Sequence, residues 1–430
     1  MPCTKPNAMS LVTGYDVIVV GAGPAGSEAA RAAATAGLRT LLVEEHPAVG
    51  IPNHCTGKLS VHAFSEFDLP DTLVLNSVSA AIFHSPGGVS VHLRRSTIDS
   101  HVVDRIQFDR WLVDRAANAG AEVLTGVRIA AAVRDNGTMV VRGERTASGS
   151  RAGRGAREFL ARCRFIIDAE GAAPRLPKAL GIPLPRRQAV GLQYQMRGVG
   201  GITPDTPEIF FGDGVAPGFF AWLMPLGGSR VRVGLCVDPR KTERAPVWYL
   251  ERLLATHPAL QARAGGAVVE YKIGGRIPLA AGGAPVSTHG FIVAGDAAGQ
   301  VKATSGGGIY YAMIAGRIAG QAAAGYMAGD SRAAAAYESR WRERFGREVS
   351  FTAFGRRAIN RLSDRELDIV LGMIAASPRI RSGVEAAGDT QFQSRVFLPL
   401  LRGLATAAVR QPLLLPVVGK ALLAGMLAQV

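Results

Sequence analysis

The chain is 430 residues long and 48% hydrophobic, enough for two or three domains around a large buried core. Four scattered cysteines (Cys3, Cys55, Cys163 and Cys236) argue against a disulfide framework or a metal knuckle, and no secretory leader or uncharged membrane-length run is evident, so the expectation is a cytoplasmic protein without metal. The net charge of +15 comes with no nucleic-acid motif and no interleaved aromatics; it excludes nucleic acid as a partner and reads as a solvated surface or an attraction for anionic lipid or a phosphorylated substrate.

The first element is the apolar run Val17–Val20, short and β-branched enough for a buried parallel strand. Gly21, Gly23 and Gly26 follow in G-x-G-x-x-G spacing and open an Ala-rich helix over 25–36. Gly21 permits the tight turn, Gly23 admits a pyrophosphate to the backbone, and Gly26 lets helix and strand pack closely. Helix N–H groups then face the phosphates, with Ala25 beside them. Leu41–Val43 reads as the second strand, and Glu44 closes it where a carboxylate can accept from a ribose hydroxyl. Strand, glycines, helix, strand and acid in register make a dinucleotide site.

A Gly/Pro-punctuated loop over 50–58 holds Cys55 and Thr56, and a helix is expected to begin near Leu59. Residues 80–103 alternate as antiparallel strands, and Arg105–Asp109 leads into an amphipathic helix ending at Gly120. Val123–Leu124 and Val127–Ile129 are strand material, 142–157 reads as a basic, mobile hairpin tip, and 165–171 is a strand closing on an acid–Gly turn. Residues 188–237, centred on Phe219–Pro225, suggest a separate antiparallel sheet. The strand at Phe291 ends in Gly295-Asp296, and Gly306, Gly307 and Gly308 open a long helix at Ile309. A ligand reaching two helix N-termini so far apart in sequence is longer than half a nicotinamide dinucleotide, and FAD fits.

Together these motifs resemble the para-hydroxybenzoate-hydroxylase-like flavoproteins, and within them the geranylgeranyl reductases. The resemblance covers roughly 15–325 and rests on Gly21–Glu44, Pro52–Cys55, Arg105–Asp109, Phe220–Pro225, Gly295–Gly299 and Gly306–Met313. It implies an FAD-dependent reductase of isolated C=C bonds in a prenyl chain. Gly21, Gly23, Ala25 and Gly26 would hold the pyrophosphate, Glu44 the adenosine ribose, and Ile129 would back the adenine. Asp296 would bind the ribityl hydroxyls, and Gly307, Gly308 and Ile309 the pyrimidine edge of the flavin. Arg105 would contact the cofactor, with Cys55 and Thr56 beside the flavin. Phe220 and Trp222 would wall the prenyl chain, and Cys55 would assist proton delivery. Departures from the family pattern fall at Lys58, Glu170, Phe220, Met224 and Ala303. The implied electron donor is NAD(P)H or a ferredoxin.

The expected architecture is α/β. A discontinuous Rossmann-like FAD-binding domain covers 1–79, 104–185 and 285–330, and an inserted antiparallel β-sheet substrate domain covers 80–103 and 186–284. A C-terminal helical region covers 331–430; its end either caps the substrate cavity or lies on an anionic membrane surface. Monooxygenases and halogenases share the framework, but their characteristic segments are absent or only half present. A quinone-linked electron-transfer flavoprotein would need clustered cysteines for iron–sulfur ligation.

Overall fold

Val17–Val20 lies inside a six-stranded sheet whose order is Ser287–Thr288, Phe291–Val293, Phe165–Asp168, Val17–Val20, Thr40–Val43 and Glu122–Leu124. All neighbours run parallel except the antiparallel edge at Ser287–Thr288. Its central strands are buried throughout, the reason they read as unbroken apolar runs. The computed structural model describes residues 14–145, 157–183, 187–279, 286–410 and 415–426. Most of the hairpin tip expected over 142–157 lies outside the described residues; Arg142–Arg145 and Arg157 are strand.

The helices Pro24–Thr35, Arg105–Asn118 and Ile309–Met327 pack on one face of this sheet, the first and last directly against each other. Their contact is built from small residues. A Cβ on Gly316 would fall 2.0 Å from the Ala25 carbonyl oxygen, and one on Gly320 2.4 Å from that of Ala29. Alanines on one helix and glycines on the other therefore set the spacing, and with it the relative position of the two N-termini.

The inserted sheet has seven strands, ordered Val268–Pro278, Gln188–Arg197, Arg230–Val237, Ala221–Gly227, Glu208–Phe210, Ala80–His84 and Ser90–Arg94. It is antiparallel except where Glu208–Phe210 runs parallel to Ala80–His84. Strand alternation sorts its residues cleanly. Tyr194, Leu223, Val231, Val233 and Leu235 pack with the helix Pro246–Thr256, while Gln193, Gln195, Trp222 and Arg232 occupy the opposite face.

Two local expectations are corrected. Lys58–Ser60 is a short strand rather than a helix start; it pairs with Ser100–Val103, and the helix begins at Val61 because the Ser60 hydroxyl accepts the His62 N–H. Ser100–Val103 also pairs with Val74–Val78, so it lies in a small three-stranded sheet and not in the large one with 80–94. A third antiparallel sheet joins Val127–Asp135, Thr138–Arg145 and Arg157–Cys163. The C-terminal region is helical at Ala333–Arg361, Asp364–Ala376, Pro378–Ala387, Ser394–Arg410 and Leu415–Met426. Among the described residues no helix is long and apolar enough to cross a membrane.

Candidate active site

Four parallel strands end on the same edge, and each ends on a residue with chemistry to offer. Val17–Val20 gives way to Gly21, Thr40–Val43 to Glu44, Phe165–Asp168 ends at Asp168, and Phe291–Val293 leads to Gly295-Asp296. The crevice beyond such carboxyl ends is where open α/β sheets bind ligands. Gly21 takes φ +100°, and a Cβ there would meet the Ala169 carbonyl at 2.3 Å, so only glycine makes this turn. Gly26 is as constrained, its Cβ position 1.8 Å from the Gly21 oxygen. Gly23 differs: nothing lies within 4 Å of its Cβ position. That open face at the start of a helix without a side-chain cap leaves room for an anionic group such as a pyrophosphate.

Glu44 accepts the Ala22 N–H at 2.9 Å and pairs with the His46 ring at 2.6 Å, which fixes the carboxylate beside the glycine turn. Asp168 is fully buried, and its Oδ2 has no hydrogen-bond partner among the described residues. Burial, then the neighbouring Glu170 carboxylate, pushes its pKa well up. Glu170 itself accepts the N–H groups of Arg175 and Leu176.

The distant motif arrives beside the first. A Cβ on Gly295 would lie 2.9 Å from the Ala25 methyl, so Asp296 stands next to the glycine loop. Burial raises the Asp296 carboxyl to about 6, against the opposing pull of the Arg105 guanidinium. Arg105 grips Asp109 with two nitrogens at 2.8–3.2 Å and also reaches the Cys55 sulfur. Burial would lower the guanidinium pKa, but Asp109 and then Cys55 outweigh it and hold it raised. Gly57 N–H donates to the same sulfur at 3.3 Å.

The loop carrying Cys55 and Thr56 is pinned to the polar face of the inserted sheet. The Thr56 hydroxyl donates to Gln193 Oε1 at 2.9 Å, and the Thr56 carbonyl accepts from buried Arg232 at 2.7 Å. The Trp222 indole donates to that Gln193 oxygen at 3.4 Å. Trp222 meets Phe220 edge-on at 5.9 Å, and Phe220 stacks on Phe219 at 4.7 Å. The aromatic run therefore begins beside Thr56 and packs with Ile277, whose side chain lies against Gly306 of the glycine triplet. Cys163 and Cys236, by contrast, are buried thiols pushed up to about 12 and are inert packing.

The expected residues thus converge with one exception. Ile129 is 2% exposed and packs with Leu41 and Val43, so its side chain belongs to the core. Gly307, Gly308 and Ile309 open the helix Ile309–Met327, whose N-cap, Gly308, has no side-chain cap. Sequence reasoning missed Gln193, Gln195, Arg232, Lys302 and Thr390. The signal for the first three was present: polar side chains repeating at period two within otherwise apolar strands.

An open pyrophosphate cradle, a fixed carboxylate, an orphaned buried carboxyl oxygen and an uncapped second helix suit FAD. The profile of the FAD dependent oxidoreductase family matches residues 16–179, and that of the geranylgeranyl reductase catalytic domain matches 188–275. Digeranylgeranylglycerophospholipid reductase 2 of Methanopyrus kandleri is 32% identical over 82% of this chain and 89% of its own length. The enzyme of that name from Methanothermobacter thermautotrophicus is 33% identical over 83% and 91%. The solved structure of a geranylgeranyl bacteriochlorophyll reductase-like protein from Thermoplasma acidophilum shares the fold, with a TM-score of 0.80 at 24% identity, over 96% of this chain and 100% of that one. At this identity and coverage the chain belongs to the geranylgeranyl reductase family of FAD-dependent oxidoreductases.

Proposed function

We propose that the protein hydrogenates the isolated C=C bonds of a geranylgeranyl or polyprenyl chain carried by an isoprenoid lipid, a diphosphate or a prenyl tail. The observation that carries this reading is Gln193, whose single amide oxygen ties the cofactor-side loop at Thr56 to the aromatic wall at Trp222. An unactivated alkene needs a hydride on one carbon and a proton on the other while water is kept out; bound FAD, once reduced, supplies the hydride.

The chain's own residues do the rest. Gly21, Gly23, Ala25 and Gly26 bind the pyrophosphate, Glu44 the ribose, and the Ile129 backbone the adenine side. Asp296 holds the ribityl hydroxyls, and Gly307, Gly308 and Ile309 offer N–H groups to the pyrimidine edge. Cys55, whose sulfur accepts the Gly57 N–H, assists proton delivery to the alkene. Phe220 and Trp222 exclude water along the alkene. With only one full dinucleotide motif in the chain, the electron donor is a transiently bound NAD(P)H or a ferredoxin.

The C-terminal helices are read as both cap and contact. Val417 is buried against Leu362 and Leu367, while Leu415 and Leu423 are 52% and 58% exposed, a surface suited to peripheral contact with an anionic bilayer. The deciding experiment is anaerobic: reduce the FAD-loaded protein with dithionite, add geranylgeranyl substrates, and follow flavin reoxidation and product mass. Reoxidation with a gain of two hydrogens per double bond supports the reading. Reoxidation only on admitting oxygen, with an oxygen atom in the product, replaces it with a monooxygenase.

A further inference from the structure

Lys302 sits four residues before Gly306, the first residue of the second glycine motif, and it is 4% exposed. Its main chain is locked to the triplet: Lys302 N–H donates to the Gly307 carbonyl, and Gly306 N–H donates to the Lys302 carbonyl. Its Nζ lies 3.3 Å from the Cβ position of Gly307 and donates to the Thr390 carbonyl at 2.6 Å. No carboxylate pairs with it among the described residues. The acids around it are committed elsewhere. Asp99 bonds Lys58 and both the N–H and hydroxyl of Thr390, Asp389 pairs with His62 and Arg395, and Glu348 accepts the Ser394 N–H. Lys58 converges on the same Thr390, through its hydroxyl at 2.7 Å, and Tyr311 offers only a ring face at 5.8 Å.

A buried ammonium without an ion pair, next to a second ammonium, is costly. Burial and then Lys58 push Lys302 down to about 8. The arrangement makes sense if an anion arrives. We propose that Lys302 is the fixed positive charge of the flavin site, held against the glycine triplet by Thr390 so that it favours the reduced, anionic form of the bound cofactor. Two electrons and one proton from the donor leave that form with one negative charge, and a cation beside the triplet lowers its energy without favouring the oxidised form. The inference rests on the placement of Gly307–Ile309 at the pyrimidine edge.

The test is the midpoint potential of the bound FAD, from dye-equilibrated reductive titration, with oxidised-FAD affinity from fluorescence quenching. Lys302→Gln keeps a donor for the Thr390 carbonyl and removes the charge. It should leave oxidised-FAD affinity within about twofold and weaken relative binding of the reduced form about tenfold, which lowers the potential by about 30 mV. Lys302→Arg should stay close to the parent. An unchanged potential in Lys302→Gln overturns the proposal and reduces Lys302 to a tie on the 389–394 segment. If Lys302→Gln binds no FAD, Lys302→Arg decides: a parent-like potential supports the proposal, a loss of about 30 mV overturns it. The prenyl-reduction assay fails or succeeds independently of this shift, so the two readings are separable.

Discussion

Gly316→Ala is the sharpest probe of how the fold positions the site. Glycine is the poorer helix former, so in an open helix the substitution should stabilise by up to about 1 kcal/mol. Here the new methyl would fall 2.0 Å from the Ala25 carbonyl oxygen, far inside the 3.4 Å at which ordinary contact begins. The obstacle is backbone in the first turn of Pro24–Thr35, which cannot rotate away as a side chain would. A 2.0 Å approach to fixed backbone belongs at the upper end of overpacking costs, about 3 kcal/mol, so after the propensity gain the net effect is a loss of about 2 kcal/mol. The same displacement pushes the Gly23–Gly26 cradle away from the Asp296 loop, so FAD affinity should fall alongside stability. Gly372→Ala is the control, since that glycine lies in the helix Asp364–Ala376 with nothing within 4 Å of its Cβ position. Thermal unfolding with and without FAD, and FAD titration, read both effects. A Gly316→Ala protein as stable as the parent, or more so, refutes the close-packing argument.

Asp168→Asn should stabilise the protein at neutral pH. The native carboxyl has a raised pKa, so its favourable contribution is complete only below the ordinary carboxylate value near 4 and is lost as pH rises toward the folded value. The melting-temperature gain should therefore shrink toward pH 4; a pH-independent gain, or none, counts against the assignment. Gln193→Leu strands the Thr56 hydroxyl and the Trp222 indole, and should lower prenyl-substrate kcat/KM about tenfold or more while FAD content is retained. Replacing Cys55 by Ala or Ser should slow the alkene-reduction step and leave FAD binding intact; unchanged turnover removes the thiol from the proton path. Leu415→Asp combined with Leu423→Asp should reduce flotation with anionic liposomes without loss of solution stability, because both side chains are exposed.

The cofactor half was legible because its rules are local. A turn at φ +100°, a helix packed onto a strand and a carboxylate at a strand end each leave a mark within a few residues, and Gly21, Gly26 and Glu44 stand where those marks put them. The bridge between halves was not legible. Gln193 lies 137 residues from Thr56, and Lys58 lies 332 residues from Thr390, so nothing near either residue in sequence names its partner. Lys58–Ser60 failed for a related reason: its strand exists only because Ser100–Val103 lies beside it, and β structure is fixed by such neighbours more than by propensity. At Ile129 the motif position gives no sign that the side chain is spent on the core, since that too depends on distant neighbours.

The division also bears on what two of this chain's departures from its family's pattern, Phe220 and Met224, should do. On the proposed assignment the pyrophosphate and pyrimidine edge would be met by backbone N–H groups and by glycines whose missing side chains make room, and the ribose by the Glu44 carboxylate, so side-chain changes elsewhere nearby should leave those contacts intact. On the same assignment the alkene side would be met by side chains, Phe220 and Trp222, which meet edge-on, with Met224 packed beside Trp222. Substitutions such as Phe220 and Met224 in place of other aromatics therefore reshape the prenyl channel while leaving the glycine cradle untouched. Selectivity among prenyl chains should accordingly move with the 220–225 strand and with Gln193 beneath it, whereas changes in flavin potential should trace to 302–309. The two properties can be tuned apart because 220–225 lies on the seven-stranded sheet, whereas 302–309 is the loop that opens the helix Ile309–Met327.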